Sequence, residues 1–261
     1  MKIRALAVTI VFAAAGLSLN AASLDPLHES CAIGAGDKAG MLRLEVSEGD
    51  CRGLKNCGNH NMSDVPSSRF TGISLAELAN NGAHLTATLS AEAGTLTCTG
   101  TVRDDELEGS AVFTPDAGFV TRMKEIGFSG YDTEKLLACA LLNVQSEWAQ
   151  SLKQAGVPDM TTDNLIALRA FNVDPAYVHS ITALDFPMPT ADQLIAMACQ
   201  GVNAEEVRQI RALGYQPNFD QLIQIRIFKV TPDFIHRMQA RGLKDLTLEK
   251  LVQIRIFKLA D

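Results

Sequence analysis

The sequence lacks the short motifs that identify the commonest classes of enzyme. Its 261 residues contain no HExxH pair for zinc hydrolysis, no GxSxG nucleophile elbow, no Walker loop and no GxGxxG dinucleotide fingerprint. No serine stands with a histidine and a carboxylate at a recognisable spacing. We therefore predict no catalytic residue, no metal site and no cofactor, and we keep an enzyme of unrecognised type only as an alternative.

Basic residues are also fewer than acidic residues. The chain has 23 lysines and arginines against 30 aspartates and glutamates, which gives a formal net charge of −7. Most of the excess acid lies in residues 23–112, where 13 acidic residues face 6 basic ones. Because this field repels polyanions, we expect no nucleic-acid partner.

Long apolar runs are absent after the first 22 residues. Lys2 and Arg4 precede an apolar run over residues 5–19, which is followed by small residues. This pattern is typical of a secretory signal peptide, and a run of about 15 residues is short for a membrane span. We predict a signal peptide over residues 1–22, a periplasmic or secreted mature protein, and no stable membrane insertion after cleavage. An uncleaved anchor is the alternative.

Cysteine is sparse, with six in the chain, and four of them precede the helical part: Cys31, Cys51, Cys57 and Cys98. An even number of cysteines in a loop-rich, exported region favours two disulfides over a metal site. Four cysteines allow three pairings, and the sequence does not choose among them. We favour the small loop Cys51–Cys57 together with Cys31–Cys98. Cys139 and Cys199 lie among apolar residues and are interpreted as small hydrophobic side chains.

Residues 23–113 show the alternation of half-buried strands. In the segments MLRLEVSE, AHLTATLS, GTLTCTGTV and LEGSAVF, apolar and polar residues alternate with a period of two. Ser74 and Glu77 form a capping box before the short helix LAELANN. We predict a small, disulfide-containing antiparallel β-rich domain with one wet face.

Residues 114–261 change to a helical pattern that repeats. Each predicted repeat contains two helices. One set of equivalent residues, mostly glycines, ends the first helix, and a set of leucines begins the second. Successive members of each set, or column, are 28 or 29 residues apart. The columns are Gly127, Gly156, Asp185, Gly214 and Gly242, and Leu136, Leu165, Leu194, Leu222 and Leu251. Two columns with one period predict five helix pairs in a solenoid-like array with a period of about 29, so the fold class is α+β.

Helix caps follow the same period. The second helices are expected to follow the N-caps Asp132, Thr161, Thr190, Asn218 and Thr247, and the first helices to begin at Thr114, Gln145, Asp174, Asn203 and Thr231. The apolar residues of LIQIRIFKV surround most of that second helix. We therefore expect the second helices to be sandwiched between neighbours, and the first helices to be half exposed.

Two columns of side chains are candidates for binding. A basic strip comprises Arg169, Arg226, Lys229, Arg255 and Lys258, and an aromatic column comprises Phe119, Trp148, Tyr177 and Phe234, interrupted by Glu206. The basic strip is our candidate surface for an acidic partner, and a simple solvated strip is the alternative. For the aromatic column, packing between units is the alternative to a binding ridge.

The segments VPSSRFTGISLAEL, AGTLTCTGTV, AVFTPDAGFVTRMKEIGF and QLIQIRIFKVTPDFIHRM carry a family resemblance. They are similar to the extracytoplasmic β-domain and helical-repeat region of some bacterial BlaR-type sensor metallopeptidases and of related secreted proteins. The resemblance covers residues 65–261. The protease part is missing here, so the resemblance implies an extracytoplasmic accessory or sensing module rather than peptidase activity.

The sequence therefore predicts an exported, non-enzymatic interaction module. We expect it to bind a protein or peptide partner in the cell envelope along the concave surface that helical repeats provide. The first alternative is a periplasmic sensing module for a ligand derived from the cell envelope, with its pocket between the two domains.

Overall fold

The protein is described by a computed structural model that covers residues 24–47, 60–243 and 246–257. Within these ranges the chain is α+β, with an antiparallel sheet followed by a helical region. The predicted signal peptide, Cys51, Cys57 and Lys258 lie outside the described residues.

Seven strands form one antiparallel sheet in the order β3-β2-β1-β7-β6-β5-β4. The strands are β1 Leu27–Ala35, β2 Met41–Ser47, β3 His60–Pro66, β4 Phe70–Thr71, β5 His84–Ala91, β6 Gly94–Arg103 and β7 Glu106–Pro115. Edge strands β3 and β4 are joined only by a 3-10 turn at Ser67–Arg69, so the two edges meet and the sheet curls into a nearly closed barrel.

A pair of glycines allows a close approach of two neighbouring strands in the barrel. Gly109 of β7 pairs with Cys31 of β1 on one side and Gly100 of β6 on the other. A Cβ atom added to Gly109 would lie 2.0 Å from the carbonyl oxygen of Thr99, so only glycine fits this approach. Strands β1 and β6 flank β7, and Cys31 of β1 forms a disulfide with Cys98 of β6, with the two Cα atoms 6.1 Å apart. This half of the favoured pairing is confirmed.

One short helix, α1, lies in the barrel, and ten helices follow it. Their bounds are α1 Leu75–Leu78, α2 Ala117–Ile126, α3 Thr133–Leu142, α4 Ser146–Gln154, α5 Thr162–Ala170, α6 Pro175–Thr182, α7 Ala191–Cys199, α8 Ala204–Ala212, α9 Phe219–Ile227, α10 Pro232–Ala240 and α11 Leu248–Ile256. We call α3, α5, α7, α9 and α11 the odd row. Each member packs against the next along this row, while α2 packs on α4 and α8 on α10.

The N-caps explain where the helices begin. All five predicted caps of the odd row accept a hydrogen bond from the backbone three residues later. The expectation for Thr114 is wrong, because strand β7 continues through Pro115 and Asp116 caps α2 with a 2.6 Å bond from the Phe119 amide. Thr114 stays in the strand because its backbone pairs with Thr95 of β6.

Helix α4 receives its cap from the barrel. The cap position is Gln145, whose side chain makes no capping bond. Instead Glu92, in the β5–β6 turn, accepts from the Ser146 amide at 2.9 Å and from Arg122 Nε at 2.8 Å. Burial alone would raise the pKa of Glu92, but the bonds from Ser146 and Arg122 outweigh it and hold the pKa below its usual range.

The two parts of the chain share one hydrophobic core. Helix α3 lies against strands β3, β5, β6 and β7, and Phe113, Phe119 and Leu136 are fully buried in a cluster that runs from sheet to helices. Thr133 Oγ1 also donates to the carbonyl of Asp25 at 3.3 Å. The helical region therefore packs directly against the barrel.

We expect removal of the Cys31–Cys98 disulfide to destabilise the barrel. It closes a loop across 67 residues, so replacing both cysteines by serine should lower the free energy of unfolding by about 4 kcal/mol. Urea unfolding followed by circular dichroism measures this difference. Cys199→Ser is the control, because Cys199 is a free thiol and is exposed, so its interpretation as a buried hydrophobic side chain is wrong. Equal stability of the double variant and the wild type would contradict the disulfide's role.

We expect Glu92→Gln to weaken the junction at neutral pH by about 1 kcal/mol, which is the usual effect of losing a helix cap. Since the folded-state pKa of Glu92 is lowered, its contribution is complete above the unfolded-state pKa of about 4.3 and is lost as pH falls through the folded-state value. Chemical unfolding at pH 7 and pH 3 should therefore show a difference that shrinks in acid. A difference that is constant with pH would refute this role for the carboxylate.

Candidate partner-binding surface

Three arginines of the predicted basic strip connect neighbouring helices of the odd row. Each donates from its own helix to a carbonyl at the C-terminal end of the preceding odd-row helix, where the last carbonyls have no partner within their own helix. The distances are 3.0 Å from Arg169 Nε to Leu142 O, 3.1 Å from Arg226 Nε to Gln200 O, and 3.0 Å from Arg255 Nη2 to Lys229 O.

The predicted aromatic column supplies the other contact of these arginines. The Arg169 guanidinium lies 5.3 Å from the ring centre of Trp148, and that of Arg255 lies 3.9 Å from the ring centre of Phe234. Glu206 interrupts the aromatic column and forms a 2.6 Å ion pair with Arg226 instead. The column therefore packs between units, through cation–π contacts in two of them.

The unit without an arginine uses a different bond. Ala198 occupies the arginine's position in α7, and the hydroxyl of Tyr177 donates to the carbonyl of Val202 at 3.0 Å. Burial raises the pKa of Tyr177 to about 12, so the hydroxyl stays protonated and able to donate across the ordinary pH range. This bond ties α6 to the loop that follows α7, in the unit where the arginine bond between odd-row helices is missing.

These contacts reduce the number of basic side chains in the strip that are available to a partner. Arg169, Arg226 and Arg255 are half-buried and engaged within the chain, whereas Lys229 is exposed. Lys258 lies outside the described residues. Binding of a partner by this strip stays a prediction, with Lys229 as its most accessible described member.

Exposed apolar side chains lie beside the arginines, and the sequence interpretation missed them. Ile227 is 49% exposed, Ile256 is 47% exposed and Phe257 is 66% exposed. The expectation that the apolar positions of LIQIRIFKV are sandwiched is therefore wrong for Ile227. The signal was present: Ile227 follows the exposed residues Asp220 and Gln224 by seven and three positions, which places all three on one helix face.

The opposite end of the same helices is acidic. The second helical residue of every odd-row helix is a carboxylate: Glu134, Asp163, Asp192, Asp220 and Glu249. Carboxylates are favoured there by the helix dipole. Several also bond to the preceding helix, as in the 2.7 Å pair of Lys135 with Asp163 and the 2.8 Å bond from Asn164 to Asp192. The exposed face of the odd row thus runs from an acidic edge to an apolar edge, and we define the apolar edge as Ile227, Ile256 and Phe257.

Groups that commonly perform chemistry are dispersed. No three histidine, cysteine, aspartate or glutamate side chains form a metal-binding cluster within residues 24–47, 60–243 and 246–257. Burial raises the pKa of the Cys139 thiol to about 12, which leaves it protonated and a poor nucleophile. In the described part of the chain, no helix is both long enough and apolar enough to cross a membrane.

No protein-family model, curated protein or solved structure matches this chain. Its function is therefore inferred from the chemistry of the surfaces described above.

We expect Lys229→Asn to stabilise the protein by about 1 kcal/mol. Lys229 has a φ of 53°, a left-handed conformation that costs most side chains roughly this amount. Asparagine tolerates it because its short polar side chain can bond to the local backbone, and equivalent helix ends carry Asn143, Asn172 and Gly201. Thermal and urea unfolding measure the change. Lys229→Ala is the matched control, because it removes the same charge and keeps the strain. Equal effects of the two substitutions would show that charge rather than backbone strain decides the outcome.

Proposed function

We propose that this chain is an exported, non-enzymatic interaction module that binds a protein or peptide partner through its helical region. The observation that carries the proposal is the apolar edge. Ile227 and Ile256 end two helices that pack against each other, and Phe257 extends the exposed apolar surface beyond the second. Apolar side chains grouped in this way are typical of a surface that a partner covers.

The proposed organisation is a short solenoid of five helix pairs with a period of about 29 residues. In support, the odd-row helices begin at residues 133, 162, 191, 219 and 248 and pack in sequence. A solenoid repeats the same face at each unit and so presents an extended surface. The equivalent positions Ile227 and Ile256 would provide two apolar anchors of this kind.

The charge beside the apolar edge indicates the chemistry of the partner. Lys229 is exposed two residues after Ile227, and its own carbonyl, just past the end of α9, already accepts a bond from Arg255. A short segment with two or three apolar side chains and an aspartate or glutamate near them would match this surface. Burying each apolar side chain fully would contribute about 1.5–3 kcal/mol, and the lysine would add specificity.

The proposed location is the periplasm or the outside of the cell. The Cys31–Cys98 disulfide is compatible with an oxidising compartment. The resemblance to the extracytoplasmic regions of BlaR-type sensor metallopeptidases supports the same location and suggests an accessory role in sensing at the cell envelope. Within that role, the partner would be another envelope protein or a peptide exposed there.

The test is selection of a phage-displayed library of 12-residue peptides on the immobilised protein. We expect enriched peptides to combine spaced apolar residues with aspartate or glutamate. Replacing both Ile256 and Phe257 by serine should weaken their binding about tenfold or more, since that corresponds to only about 1.4 kcal/mol. Fluorescence anisotropy with a labelled peptide measures the affinity.

Leu75→Ser is the matched control for this test, because it removes a comparably exposed apolar side chain from the barrel. It should leave the peptide affinity unchanged. Failure to enrich any peptide, or equal binding to the Ile256→Ser, Phe257→Ser variant, would reject the apolar edge as the binding surface. Sedimentation of the wild type and the double variant distinguishes a second copy of the chain as the occupant.

A further inference from the structure

Two arginines from different parts of the chain meet at the C-terminal end of α3. Arg69 follows strand β3 and donates through its two Nη atoms to the carbonyls of Ala140, at 2.7 Å, and Leu141, at 2.9 Å. Arg169, on α5, donates to the carbonyl of the next residue, Leu142, at 3.0 Å. Three consecutive carbonyls therefore hold two guanidinium groups side by side.

This pair of positive charges has no counter-ion among the described residues. No carboxylate in residues 24–47, 60–243 and 246–257 lies within 4.0 Å of Arg69 or Arg169. Burial lowers the pKa of Arg69, and the neighbouring charge of Arg169 lowers it further. The negative end of the α3 dipole is equivalent to roughly half a charge, which leaves most of the positive charge unbalanced.

The equivalent contact between α7 and α9 includes a carboxylate, which the contact between α3 and α5 lacks. There Arg226 caps the preceding helix in the same way, but Glu206 pairs with it at 2.6 Å. Between α3 and α5 the equivalent position is Trp148, and Arg169 interacts electrostatically with a second guanidinium, that of Arg69. The same scaffold thus carries a built-in carboxylate at one joint and two cations without one at the other.

We propose that Arg69 and Arg169 form a binding site for an oxyanion, a carboxylate or a phosphate group, at the junction of the barrel and the helical region. Each guanidinium has five N–H donors, and the bonds to α3 use only part of them. The two groups are half-buried, so an anion would be bound with less screening than at an open surface. This site is separate from the apolar edge and does not depend on it.

Binding at this site would couple the two parts of the molecule. Arg69 lies in the turn that joins the edge strands of the barrel, and Arg169 lies on the second helix of the odd row. An anion held by both would remove the repulsion between them and strengthen their hold on α3. The folded state would therefore gain stability as the anion concentration rises.

Trp148 makes the proposal directly measurable. It is the single tryptophan of the chain, and the Arg169 guanidinium lies 5.3 Å from its ring centre. Inorganic phosphate and acetate are titrated separately into the full chain, with sodium chloride keeping the ionic strength constant, and the tryptophan fluorescence is recorded. We expect a saturable change with at least one of the two anions, and the stronger one identifies the class of ligand.

Arg69→Gln should weaken this response about tenfold or more, since a hydrogen bond between charged groups is worth at least that factor. Arg226→Gln is the matched control, because Arg226 also donates to the carbonyl end of the preceding odd-row helix but is already paired with Glu206. It should respond to the anion as the wild type does. An unsaturable response, or equal affinity of wild type and Arg69→Gln, would overturn the proposal.

Equilibrium dialysis of the wild type against radiolabelled phosphate or acetate tests the site without any variant. Its result therefore does not depend on whether Arg69→Gln folds. One anion bound per chain supports the site. No bound anion of either class, at concentrations where sodium chloride does not compete, overturns it.

Discussion

The helical region depends on one interaction, in which a basic side chain of one helix bonds to the carbonyl end of an earlier helix. A helix cannot satisfy its own last carbonyls, and burying them without partners is costly. In the odd row Arg169, Arg226 and Arg255 supply the donors. Among the even-numbered helices, Lys153 of α4 donates to the carbonyl of Ile126 at the end of α2, and Arg211 of α8 donates to the carbonyl of Leu184, which follows α6. These bonds join each helix to an earlier one and complement the apolar packing between them.

The surroundings of each guanidinium make the joints chemically different. Trp148 and Phe234 stack on an arginine, Glu206 neutralises one, and Arg69 brings a second charge from the barrel. The first two arrangements mainly stabilise packing. The last leaves positive charge at the boundary between the sheet and the helices, where we propose that an anion binds.

The helix ends also explain the polarity of the exposed face. Their N-terminal ends favour carboxylates, and bonds such as that from Asn164 to Asp192 tie these carboxylates to the preceding helix. The C-terminal ends place their arginines inward, toward carbonyls, and leave Ile227 and Ile256 facing outward. An acidic edge and an apolar edge therefore follow from helices that pack side by side and begin with a carboxylate in the first turn.

The sequence by itself determined the features that depend on neighbours within a turn or two. Strand alternation, the five caps of the odd row and the α+β class were all predicted from such local patterns and are present. Only the tertiary structure selected Cys31–Cys98 as a disulfide, gave α4 its cap from Glu92 and turned the predicted basic strip into bonds between helices. Those partners lie 26 to 67 residues apart, and their meeting depends on how the sheet curls and the helices stack. No periodicity of residue types encodes that geometry, and for this reason the meeting of Arg69 with Arg169 emerged only from the folded chain.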